Sequence, residues 1–175
     1  MAISSTINKV SINIANVDQN YYQSHQLTVA KHPSENDFRF MMRLIAFMLN
    51  ASETLKFSKG LSTDDEPELW SKDLTAHIEL WIDFGQVDEK RIRKACGRAE
   101  QVIIYTYHEP KAKTWWQQQQ QKLARFNNLS IYHIHAENIE TMVKRSMQLQ
   151  CNIMDDELYL SDEDSNTVVL ISKTK

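Results

Sequence analysis

Apolar and polar residues alternate along several short segments of the chain. Residues 6–17 keep a near period of two, which predicts a strand, and residues 22–30 are predicted to pair with it through a turn at residues 18–20. The strictest alternation lies in residues 76–84. We expect the apolar face of that strand to enter the core and Asp83 to point toward a cleft, because a slip of one residue would expose every apolar side chain. Further strands are predicted at residues 55–61, 101–108, 129–135, 147–153, 157–160 and 167–172.

Apolar residues recur at helical spacing between these strands. A first helix is predicted to begin at Ser34 as its N-cap, with Glu35 in the first turn, where the helix dipole favours a negative charge. A second, strongly basic helix is predicted to open at Asp88, and a third is predicted to follow with Pro110 in its first turn. A short helix is predicted over residues 136–146.

Helices and strands thus alternate in the middle of the chain, and hairpin strands flank them at both ends. This order predicts an α/β (mixed α+β) fold in which a mixed sheet is flanked by helices. A length of 175 residues suits a single domain over residues 1–175.

Composition argues against several classes of protein. The two cysteines, Cys96 and Cys151, lie far apart without a CxxC pair, which argues against a disulfide scaffold or a zinc finger. With three glycines in all, the chain carries neither a GxGxxG motif nor a P-loop. The N-terminal residues alternate in polarity, unlike a signal peptide, and the most apolar stretch, residues 38–49, is shorter than the roughly 20 residues that cross a bilayer. We therefore expect a cytoplasmic protein with no membrane partner.

Acidic residues precede the strand 76–84 and lie on it. Asp65 and Glu68 belong to the connector before the strand, while Glu79 and Asp83 share one of its faces. These last two carboxylates stand roughly 13 Å apart, since a strand rises about 3.3 Å per residue, so one ion cannot bind both. Asp83 therefore needs a carboxylate from a neighbouring element to hold a magnesium ion, and the connector supplies candidates. The alternative is that these acids are solvated charges on a strand face and in a loop.

The helix after Asp88 concentrates positive charge. Its cations are Lys90, Arg91, Arg93, Lys94 and Arg98. The net charge of −3 neither demands nor excludes nucleic acid, so the local charge decides the interpretation. The helix is either a solvated surface or a phosphate-binding one, and in the second case we expect its first three cations to bind DNA or RNA. Because Gly85 has no side chain, a lysine of this helix can reach over it toward Asp83.

Three sequence blocks resemble the signature blocks of a known family. HPSE (residues 32–35), GLSTDDEPELW (60–70) and IELWIDFGQVDEKRIRKA (78–95) occur in order and at ordinary spacing, and the strand-rich ends are similar as well. On these residues the chain is identified as a member of the YaeQ family of bacterial proteins. The resemblance implies a compact variant of the PD-(D/E)XK metal-dependent nuclease fold, with a nuclease-like core over about residues 34–135 and extra hairpin strands from both termini.

The resemblance also implies a metal site. The superfamily places one carboxylate on the first core helix, a Pro-Asp pair at the second core strand and an acid-x-Lys triplet on the third. Here Glu35 matches the helix acid, Glu68 of Pro67-Glu68 stands in the place of the Pro-Asp acid, and Asp83 begins the triplet. Asp65 is a nearby alternative to Glu68. The resemblance thus implies that Mg²⁺ or Mn²⁺ is held by these connector and strand acids, with Glu35 in support.

The chain departs from the family pattern at Gly85, where the triplet would have lysine. Other members of the superfamily supply that lysine from the following helix, so the resemblance gives Lys94 or Lys90 the role of orienting the attacking water. The function that it implies is a magnesium-dependent phosphodiesterase acting on DNA or RNA. The alternative is a non-catalytic adaptor that keeps the fold and binds nucleic acid or protein, linked to transcription or repair.

Overall fold

The computed structural model describes residues 4–58 and 65–175. In chain order its strands are β1 (Thr6–Asn16), β2 (Tyr21–Lys31), β3 (Leu55–Phe57), β4 (Leu69–Lys72), β5 (Ile78–Phe84), β6 (Ala99–Thr106), β7 (Leu129–His135), β8 (Ser146–Met154), β9 (Glu157–Ser161) and β10 (Asn166–Lys173). The helices are α1 (Asp37–Leu49), α2 (Glu89–Arg98) and α3 (Glu109–Leu123), with a turn of 3-10 helix at Ile139–Met142. Helices and strands are interleaved, so the fold is mixed α/β, as the sequence predicts.

The chain divides into two compact units, and the first is built on a sheet. Residues 4–50 and 136–171 form this first unit, and residues 51–58, 65–135 and 172–175 form the second. In the first unit β1 pairs antiparallel with β2 and parallel with β8, while β9 pairs antiparallel with both β8 and β10. Every second residue of β1 and β8 is buried, so one face of this sheet forms core.

Helix α1 of the first unit is buried continuously from Phe40 to Met48. Its start differs from the prediction, because the N-cap is Asn36, whose side chain accepts the Arg39 N–H at 2.8 Å, and not Ser34. The same capping chemistry operates two residues later than expected. Glu35 therefore precedes the helix instead of lying in its first turn.

The segment 136–146 does not form the predicted helix. Only the 3-10 turn Ile139–Met142 is present, and the backbone is already extended at Val143. The Arg145 carbonyl then accepts the N–H of Lys9 in β1 at 2.9 Å. The end of this segment therefore hydrogen-bonds to β1 instead of forming the hydrogen bonds of a helix. In residues 4–58 and 65–175, none of the helices is long and apolar enough to cross a membrane.

The second unit is a βαβαβ arrangement with two added strands. β5, β6 and β7 run parallel and are connected by α2 and α3, while β4 and then β3 pair antiparallel at the β5 side. Both helices contribute to one buried cluster with the sheet, in which Ile92 of α2 and Trp115 of α3 join Trp81, Ile104 and Ile131. The acidic connector ends at Glu68, because strand β4 begins at Leu69. Strand β3 ends at Phe57, and most of its predicted continuation, from residue 59, lies outside the described residues.

Strand β5 is buried on both faces from Trp81 to Phe84, whereas Glu79 near its start is exposed. Its alternating apolar positions are buried as predicted, apart from the half-buried Leu80. Trp81 and Asp83, on the other face, are buried as well, and Trp81 packs into the cluster that α2 and α3 share with the sheet. Asp83 is only 3% exposed, so it does not face an open cleft.

Candidate functional site

Asp83 lies near the carboxyl end of β5 and is bonded through both of its oxygens. Arg91 donates from Nε to Oδ2 at 2.8 Å and from Nη2 to Oδ1 at 3.0 Å. The indole Nε1–H of Trp81 donates to the same Oδ2 at 2.9 Å. A two-point arginine contact with an almost fully buried carboxylate is a strong, geometrically specific ion pair.

The turn between β5 and α2 explains how Arg91 reaches Asp83. Gly85 has a φ of +81°, a left-handed conformation that favours glycine, and its N–H donates to the Tyr105 carbonyl at 2.9 Å. Asp88 then caps α2, as predicted, by accepting the Arg91 N–H at 2.9 Å. Arg91 is therefore the third residue of the helix, in its first turn, and its side chain reaches back to the end of the strand. The glycine that departs from the acid-x-Lys pattern serves this turn.

A second set of contacts joins α2 to the acidic connector. Arg91 Nη2 donates to the Glu66 carbonyl at 2.8 Å, and Arg98 Nη1 donates to the Asp65 carbonyl at 2.7 Å. The Lys94 ammonium donates to the Asp65 carboxylate, and this hydrogen bond and the charge of Lys94 hold the pKa of Asp65 below its usual value. The three cations occupy positions i, i+3 and i+7, which share one side of a helix. That side of α2 is engaged by the protein itself.

Lys90 and Arg93 take no part in these contacts. Both are exposed, and in the described part of the chain neither forms a salt bridge. A depression of about 510 Å³ is lined by Asp88, Lys90, Arg91, Arg93 and Lys94. These two unengaged cations are therefore the positive charges of α2 that a ligand can reach without breaking an ion pair.

The acids implied by the family resemblance are arranged as follows. The Glu68 N–H donates to the Ile82 carbonyl at 3.0 Å, so the backbone of Glu68 lies beside Ile82, the residue before Asp83. Asp65 is turned to Lys94. Glu35 belongs to the first unit, where its side chain is fully buried and accepts from Arg43 Nη1 at 2.9 Å.

The arrangement of these oxygens does not fit a magnesium site. Mg²⁺ takes carboxylate oxygens as ligands, whereas both oxygens of Asp83 accept from Arg91 and Trp81, and Asp65 accepts from Lys94. Within residues 4–58 and 65–175 there is no group of three or more histidine, cysteine, aspartate or glutamate residues placed to hold a metal ion. These carboxylates instead form ion pairs with arginine and lysine side chains of the protein.

The Asp83–Arg91 pair is the feature that the sequence analysis missed. Arg91 was grouped with Lys90 and Arg93 as a candidate phosphate contact, although it lies on the side of the helix that also carries Lys94. Helical spacing separates Arg93 from Arg91, but it places Lys90 beside Lys94, so spacing alone does not assign the cations to two sides. Nor does spacing reveal which side faces Asp83.

Comparisons with known proteins agree on one family. The family model described as "YaeQ protein" matches residues 1–171. A protein of Escherichia coli (strain K12) named "Uncharacterized protein YaeQ" is 42% identical over 172 residues, which cover 97% of this chain and 95% of that protein. A protein of the same name from Salmonella typhi is 40% identical over 175 residues, which cover 98% of this chain and 97% of that protein.

Two solved structures are similar over nearly the whole chain. The crystal structure of YaeQ protein from Xanthomonas axonopodis pv. citri has a TM-score of 0.95 and 35% identity, covering 98% of this chain and 99% of that chain. The crystal structure of YaeQ protein from Pseudomonas syringae has a TM-score of 0.91 and 27% identity, covering 98% of this chain and 96% of that chain. Family model, relatives and structures coincide, and the chain belongs to the YaeQ protein family.

Proposed function

We propose that this protein is a non-catalytic adaptor that binds nucleic acid through the phosphate backbone, with Lys90 and Arg93 as its principal contacts. One observation carries the proposal: these two cations are exposed and, within the described residues, unpaired, whereas Arg91, Lys94 and Arg98 of the same helix are bonded to the protein. Nucleic-acid binding without sequence preference needs exposed cations of this kind, because their contacts with phosphates release the counterions condensed on the polymer.

The charge distribution supports a local contact surface. The whole chain has a net charge of −3, so its overall field does not attract a polyanion. Residues three apart on a helix lie about 5–6 Å apart at Cβ, so Lys90 and Arg93 present two positive charges side by side over the depression. Contacts with phosphates fix the position of the nucleic acid on the protein but do not distinguish one base from another. We therefore expect affinity that depends strongly on salt and weakly on sequence.

The test is the salt dependence of binding, measured by fluorescence anisotropy with labelled DNA and RNA duplexes. Each lost phosphate contact on DNA reduces the slope of log affinity against log salt by about 0.9, so Lys90→Ala/Arg93→Ala should flatten the slope by about 1.8. Affinity falls for both proteins when salt rises from about 50 to 200 mM. The factor by which it falls should be about 12 times smaller for the double variant than for the wild type, or about 3.5 times smaller for each lost contact.

A matched control removes the same charge elsewhere. Lys111 and Lys113 are exposed lysines of α3 in the same unit, so Lys111→Ala/Lys113→Ala changes net charge equally without touching α2. The control is expected to keep the wild-type slope. An unchanged slope in Lys90→Ala/Arg93→Ala, or equal flattening in both double variants, contradicts α2 as the contact surface.

A second candidate is a magnesium-dependent phosphodiesterase with a PD-(D/E)XK-like core, and the position of Glu68 favours it. Its backbone runs beside the end of β5, which is where the Pro-Asp acid belongs in the family resemblance. The enzyme requires Asp83 to exchange Arg91 for another partner. A screen of DNA and RNA hydrolysis with Mg²⁺ or Mn²⁺ separates the candidates. Metal-dependent cleavage that Asp83→Ala abolishes supports the enzyme and contradicts the adaptor.

A further inference from the structure

Asp65 occupies two donors of α2 in the way that an anionic ligand would. Its carboxylate accepts from the Lys94 ammonium, and its carbonyl oxygen accepts from Arg98 Nη1 at 2.7 Å. The Arg98 guanidinium also lies over the Trp81 ring, 5.4 Å from its centroid. A guanidinium held against an aromatic ring and a flexible ammonium, both directed at negatively polarised oxygens, are donors of the kind that bind phosphate groups.

The contact between Asp65 and Lys94 is exposed and therefore exchangeable. The Asp65 side chain is 76% exposed and the Lys94 side chain 44% exposed. Ion pairs at such positions are weak and are screened by salt. A phosphodiester, which offers one negative charge over two oxygens, can replace the carboxylate without uncovering any buried group.

The position of this pair continues the proposed contact surface. Lys90, Lys94 and Arg98 are spaced by four residues, so they form one row that rises about 12 Å along α2. Arg93 lies next to the start of this row. For a nucleic-acid backbone bound at Lys90 and Arg93, Lys94 is therefore the neighbouring cation of the row, one helical turn from Lys90.

We propose that Lys94 and Arg98 form a second phosphate subsite on α2, which Asp65 occupies in the free protein and which a nucleic-acid phosphate takes when the Asp65 charge is removed or displaced. This inference rests on the proposed nucleic-acid binding. It assigns Asp65 the role of an internal competitor that sets how many phosphates the helix contacts.

Asp65→Asn tests the subsite, because it removes the charge and leaves the carbonyl that Arg98 contacts. With the same labelled DNA duplex, the variant should bind more tightly at low salt. One added contact should steepen the salt slope by about 0.9, so that between about 50 and 200 mM salt it loses about 3.5-fold more affinity than the wild type. The matched control is Glu53→Gln, which removes one charge from an exposed carboxylate in the loop before β3. That control should keep the wild-type slope.

A double substitution separates a subsite from a general change of charge. In the Lys94→Ala background, Asp65→Asn should no longer steepen the slope, since the freed cation is absent. The subsite is wrong if Glu53→Gln gives the same gain, if Asp65→Asn gives none, or if the gain persists without Lys94. In each of these cases the proposed function is still tested independently, by whether Lys90→Ala/Arg93→Ala flattens the slope of log affinity against log salt. If the wild type does not bind, binding by Asp65→Asn alone supports the subsite, and binding by neither refutes both proposals.

Discussion

Replacing Asp83 by asparagine is expected to lower the free energy of unfolding, because the carboxylate lies against a cation. Asp83 has 4% of its side chain exposed and Arg91 has 25%, and two hydrogen bonds join them. An asparagine oxygen can still accept from Trp81 Nε1 and Arg91 Nε. Its NH₂ group, however, then stands where Oδ1 accepted from Arg91 Nη2, so two donors face each other.

The magnitude follows from these contacts. A hydrogen bond to a charged group contributes about 1.5–3 kcal/mol, and the partial exposure of Arg91 lets its charge regain some hydration, so we expect a loss of about 2 kcal/mol. For a chain of this length that corresponds to a melting temperature lower by about 4–8 °C. In a cluster of mutually repelling carboxylates, as the nuclease resemblance implies, the same substitution would leave the melting temperature unchanged or raise it.

Thermal and urea unfolding followed by circular dichroism measure this difference. Glu79→Gln is the matched control on the same strand, because Glu79 is exposed and its amide replacement can still accept from Ser71 Oγ, which donates to the carboxylate at 3.0 Å. We expect its effect to stay within about 0.5 kcal/mol. A cycle of Asp83→Asn, Arg91→Met and the double variant should give a coupling energy of about 2 kcal/mol. Additive effects, or an Asp83→Asn variant as stable as the wild type, would refute the ion pair as a stabilising element.

Three further predictions concern side chains that are wholly or partly buried. Glu35→Ala should cost about 3–5 kcal/mol in urea unfolding, because it leaves the Arg43 charge buried, with Glu35→Gln as the milder control. Burial raises the pKa of the Cys96 thiol to about 11 and that of Cys151 to about 12, so iodoacetamide near neutral pH should label the unfolded chain much faster than the folded one; equal rates contradict this. Burial lowers the pKa of His133 below 6.5, so the unfolded state binds more protons and stability should fall as pH drops through 6.5. His133→Gln should reduce that fall in melting experiments, and an unaltered pH profile counts against the assignment.

Much of the secondary structure could be predicted because its causes are local. Strand β7 has the predicted bounds 129–135, since a period of two between turn residues is sufficient there. Asp88 was predicted as the start of α2 because a cap acts on the backbone of its own first turn. Strand β4 was missed because its four residues, Leu69–Lys72, show too little periodicity and depend on pairing with β5.

The candidate site was predicted in its composition and not in its pairings. Local sequence determined that α2 is a basic helix, that it follows Asp83 closely and that an acidic connector precedes the strand. Only the tertiary structure decided that Arg91 binds Asp83, eight residues away, and that Lys94 binds Asp65, 29 residues away. These pairs form because the pairing of β4 with β5 and the turn at Gly85 bring the connector, the strand and α2 close together. Because Coulomb interactions follow distance in space and burial rather than order in the chain, the sequence alone determined which charges are present, and the fold determined which of them are left for a ligand.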